Sequence, residues 1–264
     1  MAQAAPVGRP FNPHARRLII RILTLNMHKG FSVLNRRFVL HELREAIRTE
    51  AADVVLLQEV LGEHREHSTR WEHWPDHSQY EFLADTLWSA YAYGRNAVYP
   101  AGHHGNALLS KYPITHHQNH DVSTHTQEKR GLLHSVLAVP GWPQPLHVIC
   151  AHLGLFERHR KLQLQMLCDL IANEVPADAP LLVGGDFNDW RENAHGLLAD
   201  CAGLEEVFIT AYGRAARTFP VRWPVMRLDR LYVRNLQASG PVVLNTAPWT
   251  KLSDHAPLRL EIER

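Results

Sequence analysis

At 264 residues, 45% hydrophobic and 21% charged, the chain can bury one large core and has the composition of a globular protein rather than a disordered one. A formal net charge of +1 excludes the broad basic field that drives tight, nonspecific nucleic-acid binding, while leaving room for a local basic patch. No apolar run reaches the length of a membrane span.

Residues 1–17 lack a hydrophobic signal segment and carry Pro6, Pro10 and Pro13; they read as a loose leader before a single domain over 18–264. LIIRILTL at 18–25 reads as a buried strand. A helix is expected over 36–50, with Val39, Leu43, Ala46 and Ile47 on one face. DVVLLQ at 53–58 is a second strand. The polar, His- and Trp-rich stretch from Glu63 to Trp88 reads as a loop-rich insertion. NALLS at 106–110 is a strand ending at the turn signal KYP. A hairpin is expected from 131–139 and 146–151, across a loop holding Pro140, Gly141, Pro143 and Pro145. A helix over 157–174 places Leu162, Met166, Leu167, Leu170 and Ile171 on its apolar face. Strands follow at 180–184, 228–233 and 256–262. Strands alternate with helices, but some strands pair directly. The α/β pattern therefore predicts two packed mixed sheets with helices outside.

Polar residues gather where these strands end. Asn26 follows LTL, Glu59 follows VVLLQ, His152 follows VICA, and Asp186 and Asn188 follow LLVGG. Asp229 opens a strand, and Asp254 and His255 precede the last one. Asp186 and Asn188 are two apart, which on extended backbone puts both on one face. Any one of them alone is most simply a turn former or cap. Together they make an oxygen-rich set able to bind a hard cation, with imidazoles for proton transfer.

Other groups are conspicuous. His64, His67, His73 and His77 crowd one segment, and His103–His104 and His116–His117 form pairs, but their spacing follows no zinc pattern. They read as loop histidines, some lining a cleft. Trp71, Trp74 and Trp88 read as a local core under a long loop, and Arg158 to Lys161 as a solvated helix face. Cys150, Cys168 and Cys201 have no paired spacing; they read as free thiols in a reducing compartment, hence a cytoplasmic protein.

Nine stretches, LTLNMHKG, DVVLLQEV, GNALLSKYPI, KRGLLHSVL, HVICAHLGL, GGDFND, TFPV, RLDRLYV and LSDHAPL, resemble the motifs of the endonuclease/exonuclease/phosphatase superfamily in family order. The whole chain is most similar to an uncharacterised bacterial subgroup. The resemblance implies a DNase I-like, four-layer α/β/β/α sandwich and a Mg²⁺- or Mn²⁺-dependent phosphoester hydrolase. It implies Glu59 as principal metal ligand, supported by Asn26 and Asp254. It implies Asp186 to orient or deprotonate water, Asn188 to bond the scissile phosphate, and Asp229 to orient His255. His255 would contact phosphate and move a proton, and His152 would contact phosphate or assist the leaving group. Arg130 and, more weakly, Asn106 carry over as substrate contacts.

Departures narrow the substrate. His28 replaces the aspartate common in AP endonucleases, His152 replaces their tyrosine, and RLDRLYV lacks the WCDR pattern of 5-phosphatases. The expected substrate is a phospholipid or small phosphodiester shaped by loops 61–105, with DNA or RNA cleavage as the alternative. A catalytically silent binding module is disfavoured, because Glu59, Asp186, Asn188, Asp254 and His255 are all present.

Overall fold

A computed structural model describes residues 18–264 apart from 65, 72 and 86. The expected leader at 1–17 lies outside the described residues. The first half of the chain supplies strands β1 (Ile20–Asn26), β2 (Val54–His64), β3 (Ala90–Tyr99), β4 (Gly102–Ser110), β5 (Ile114–Asp121) and β6 (Gly131–Leu137). The second half supplies β7 (Leu146–His152), β8 (Leu181–Asp186), β9 (Glu205–Glu206), β10 (Asp229–Arg234), β11 (Gln237–Val243) and β12 (Leu258–Glu263). The α-helices are α1 (Leu40–Glu50), α2 (His67–Arg70), α3 (Gln79–Ala84), α4 (Glu157–Glu174), α5 (Ala194–Ala202) and α6 (Val207–Tyr212).

Two six-stranded mixed sheets form, in the orders β11-β12-β1-β2-β4-β3 and β5-β6-β7-β8-β10-β9. Side-chain alternation explains their stacking. Ile20, Ile22, Val54 and Leu56 of the first sheet meet Leu133, Val148, Leu182 and Leu231 of the second in the central core. The opposite faces take helices. Leu23, Leu25, Val55 and Leu57 pack under Leu40, Leu43, Ile47 and Leu83 from α1 and α3. Ile149, Leu181 and Val183 pack under Leu164, Leu167, Ile171 and Leu198 from α4 and α5. The result is the α/β/β/α sandwich of DNase I-like proteins.

Three local expectations are corrected. Cys168 on α4 and Cys201 on α5 are joined in a disulfide, with Cα atoms 5.9 Å apart; only Cys150 is a free thiol, buried between the sheets. The pair is separated by 33 residues and meets only because α4 and α5 pack side by side, so spacing could not reveal it. The argument for a reducing, cytoplasmic setting loses its ground. The buried face of α4 is also rotated from expectation: Leu162 and Met166 are exposed, while Arg160 and Gln163 are buried. Gln163 takes Gly154 N–H at 2.7 Å and donates to Val122 O at 3.2 Å, and Arg160 Nη1 donates to Gly154 O at 3.1 Å. Backbone groups of the preceding loop thus claim two polar side chains that periodicity assigns to solvent. Finally, the 63–88 insertion, expected to be loop-rich, holds the short helices α2 and α3, while Trp88 is buried as expected, its indole N–H donated to Ala52 O at 3.1 Å. Among the described residues, no helix is long and apolar enough to cross a membrane.

Candidate active site

One rim collects the strand-end residues. β1 and β2 run parallel, as do β7 and β8, so Asn26, Glu59, His152 and Asp186 emerge on the same edge. His152 stands opposite Asp186 across the β7–β8 pair, and antiparallel β10 brings Asp229 opposite Asp186 on the other side. Gly185 makes this close pairing sterically feasible. Its φ is +137°, and a Cβ there would come within 2.0 Å of Ala151 O, so no other residue fits before Asp186. After β8 the chain turns sharply: Asn188 N–H donates to Asp186 Oδ1 at 2.9 Å, and Asn188 adopts φ +51°, a region asparagine tolerates.

Asp186 is the hub. Its Oδ2 accepts from Asn26 Nδ2 at 3.1 Å and lies 3.7 Å from His152 Nε2 and 3.9 Å from His255 Nε2. The residue is only 2% exposed. Burial pushes its carboxyl above the ordinary range, opposed by His255 and helped by the Asp229 charge. His255 Nδ1 pairs with Asp229 Oδ2 at 2.9 Å. Burial pulls His255 down, but the Asp229 and Asp186 carboxylates outweigh it and hold the imidazolium well above the usual value. His152 moves the other way. Burial, then Arg130, push it well below the ordinary imidazole value, so it is neutral. One site therefore contains a charged and a neutral histidine facing the same carboxylate oxygen.

Glu59 forms the other half. It sits in β2 where the register shifts between Leu57 and Val60, with φ +54°. Burial pushes its carboxyl up, but Lys29, the Asn26 amide, His28 and His104 together hold it below the ordinary value. Lys29 Nζ is 3.8 Å from Oε2, and Asn26 Nδ2 is 3.4 Å from Oε1. Asp254 stands one step farther out, with its Oδ1 3.9 Å from His28 Nδ1 and 3.4 Å from Ser253 Oγ. Ser253 in turn donates to Asn26 O at 2.7 Å.

A pocket of about 310 Å³ opens over Asn26, Glu59, His152, Asp186, Asn188 and His255. Arg130 lines it too, with its guanidinium fixed by Glu128 at 2.9 Å and Leu153 O at 3.0 Å. Asn188 Nδ2 donates to Leu153 O at 2.9 Å, which fixes the amide's orientation. Asn106 does not join them. It is completely buried, and its Nδ2 donates to Gly131 O at 2.9 Å and Cys150 O at 3.1 Å, tying β4 to the opposite sheet. Its place as a substrate contact is withdrawn on that ground. Residues passed over in the sequence also line the pocket. Trp190 closes the GGDFNDW stretch, and Phe219 of TFPV lies 5.0 Å, ring to ring, from His255. Membership of the same motifs was the available signal for both.

The donor chemistry fits a hard divalent cation. Two carboxylates, Glu59 and Asp186, converge on a single amide, and Asp229 Oδ1 is buried without a hydrogen-bond partner. These carboxylates outnumber the cationic groups beside them, Lys29 and the His255 imidazolium, so the set suits a further cation. Asp186, Asp229 and His255 also offer ligand atoms within 4.8 Å of one another, but the 2.9 Å Asp229–His255 bond already engages two of them.

The model of the Endonuclease/Exonuclease/phosphatase family matches residues 23–255. The chain belongs to this family. Uncharacterized protein YbhP of Escherichia coli (strain K12) is 57% identical over 242 residues, covering 92% of this chain and 95% of its own length, and YbhP of Shigella flexneri matches equally. Among solved structures, an endonuclease/exonuclease/phosphatase from Beutenbergia cavernae superposes with a TM-score of 0.75 at 19% identity, over 94% of this chain and 72% of that one. D. rerio TDP2 complexed with single strand DNA product superposes with a TM-score of 0.68 at 20% identity, over 93% and 99%. At such identities these two show the family fold. Family membership supports phosphoester hydrolysis as the class of chemistry.

Proposed function

We propose that the protein is a Mg²⁺- or Mn²⁺-dependent phosphodiesterase acting on a compact phosphodiester. The observation that carries this is the convergence of Asn26, His152 and His255 on Asp186 Oδ2 at 3.1, 3.7 and 3.9 Å. Glu59 and Asn26 would hold the cation, with Asp254 behind them. When bound, such a cation would offset charge on the phosphate oxygens. Asp186 orients the attacking water and takes its proton; a carboxyl raised toward neutrality suits that task. The water oxygen bonds phosphorus as the ester oxygen departs. His255, charged and braced by Asp229, donates a hydrogen bond to the phosphate. Asn188, Arg130 and neutral His152 contact the phosphate or the leaving oxygen. The reading treats 18–264 as one folded unit, because both sheets contribute to one core and one cleft.

Compactness rests on the walls, which are not the expected loops 61–105: Leu155, Trp190, Phe219, Met226 and Leu228 line the 310 Å³ pocket, and among the described residues Arg130 is the sole Lys or Arg in that lining. That favours a small diester or lipid headgroup over duplex DNA. A second reading, a nucleotide-bearing strand, draws support from an adjoining pocket of about 370 Å³ formed by Lys29, Phe31, His67, Arg70, Trp71 and Tyr99 among others. There Trp71 Nε1 and His67 Nδ1 are buried without hydrogen-bond partners, which suits a stacked base with polar edges. A Mg²⁺-supplemented panel of bis-p-nitrophenyl phosphate, a phospholipid, single-stranded RNA, plasmid DNA and a phosphomonoester, with Asp186→Ala as control, tests both. Turnover of small or lipid diesters ahead of nucleic acids supports the first reading. Tight plasmid binding at physiological salt with fast nicking overturns it in favour of the second. Diester turnover equal in Asp186→Ala and the parent overturns both.

A further inference from the structure

On the helix-covered side of the second sheet, outside the lining of the cleft, three side chains from three elements converge at the sheet's edge. His120 lies near the end of β5, His134 on the adjoining β6, and Glu174 is the last residue of α4. One ligand atom from each of the three lies within 4.8 Å of the others.

We propose that His120, His134 and Glu174 form a second metal site, distinct from the cleft, for a borderline divalent cation of the Zn²⁺ class. Both imidazoles aim at one carboxylate oxygen: His134 Nδ1 is 3.3 Å and His120 Nε2 is 3.4 Å from Glu174 Oε2. Zinc takes nitrogen and oxygen ligands at about 2.0–2.1 Å, so the ligand-to-ligand edge of its tetrahedron is about 3.3–3.4 Å. Two of the three edges are already at that length. Two imidazoles and one carboxylate are a zinc-type donor set, unlike the oxygen-rich cleft.

Hydrogen bonding alone leaves two features unexplained. His120 Nε2 is buried and, although 3.4 Å from Glu174 Oε2, makes no well-directed hydrogen bond. Glu174 sits at the C-terminal end of an 18-residue helix that has no basic residue in its last turn. A carboxylate at the negative pole of a helix is unfavourable unless a cation joins it. A bound cation answers both features. His147 supplies the outer support that metal-bound imidazoles use: its Nδ1 is 3.0 Å from His134 Nε2. With the Nε2 proton donated to His147, the His134 Nδ1 lone pair faces Glu174 and His120. Glu174 is 35% and His120 20% exposed, so solvent can reach the remaining coordination position. Bound there, the cation staples the end of α4 to β5 and β6.

The test is zinc stoichiometry and affinity, measured by calorimetry on the chelator-treated full chain, in the parent, Glu59→Gln, His120→Gln and Glu174→Gln. The expected result is that Glu59→Gln keeps the site, while His120→Gln and Glu174→Gln each lose one zinc equivalent with Mg²⁺-supported turnover unchanged. A crystal soaked in Zn²⁺ should show an anomalous peak between the three side chains, a readout independent of how well the variants fold. Unchanged zinc binding in both variants, or a peak at the Glu59 cleft with none at His120, overturns the proposal. This outcome is separate from the fate of the phosphodiesterase reading.

Discussion

The two halves of the cleft hold the same kind of group in opposite electrostatic states. Glu59, from the first sheet, keeps its side chain 22% exposed and is held below its ordinary pKa by Lys29 and the Asn26 amide. Asp186, from the second, is only 2% exposed and is pushed up. Asn26 bridges them, donating to both carboxylates. The difference lies first in depth and then in charge: burial raises Asp186, with Asp229 adding to it against the His255 imidazolium, while at Glu59 the Lys29 ammonium and the shared amide outweigh burial. Charge placement makes one half suited to hold a cation and the other to move a proton.

The largest test of this division is to remove each carboxylate with little change of shape. Asp186→Asn should cut turnover by roughly 10²- to 10⁴-fold with metal affinity largely kept, the range expected for loss of a general base. Glu59→Gln should instead weaken metal affinity first, so that excess Mg²⁺ restores part of its rate. Steady-state kinetics across a metal titration separates them; identical metal dependence in both variants would erase the distinction between the halves.

Next in size is the His255–Asp229 pair. Asp229→Asn should lower turnover by about tenfold to a hundredfold. Combined with His255→Gln it should cost little more than the worse single change, since the two act as a unit. Its pH signature has a defined sign. Asp229 is the largest cause holding His255 protonated, so its loss lowers that pKa and moves the alkaline fall of kcat/KM to lower pH. An alkaline limb that stays put argues against His255 acting as imidazolium.

Lys29→Met probes the first half with a smaller effect. Without the ammonium, the Glu59 carboxyl rises, and the acid limb of metal-supported activity should move to higher pH. A shift in the opposite direction would show that Lys29 acts on the substrate instead.

The smallest effect concerns burial without a cleft. Glu206 accepts Ile209 N–H at the start of α6, and burial pushes its carboxyl up to about 7. With the folded value raised, the folded state binds more protons than the unfolded one between the ordinary value of 4.5 and about 7, so stability falls as pH rises through that window. Glu206→Gln should match the parent below pH 4.5 and exceed it above pH 7, by on the order of 1 kcal/mol in urea unfolding. A parent with no pH dependence there would place the carboxyl near its ordinary value.

The central strands of both sheets could be read from the sequence because burial on both faces writes a continuous apolar run, as in LIIRILTL and DVVLLQ. The edge strands could not. β5 is ITHHQNHD, with most positions exposed, and its backbone is recruited by pairing with β6 rather than by hydrophobicity. β11 shares that character. The strand-end residues were visible because each polar group interrupts an apolar run. Asn106 came only as a weaker carry-over from the family motifs, and only the opposite sheet shows that its Nδ2 meets two carbonyls. Lys29 lies three residues after Asn26, and only the fold brings it to Glu59.

The left-handed backbone at Glu59 sets stability and selection against each other. A β-carbon at φ +54° carries a conformational cost that glycine escapes and asparagine reduces. Replacement by glycine or asparagine would therefore relax the main chain while discarding the carboxylate. Screens that reward thermal resistance alone should be drawn to this position, returning variants that melt later and do nothing, whereas screens for catalysis should restore glutamate there even at a lower melting temperature.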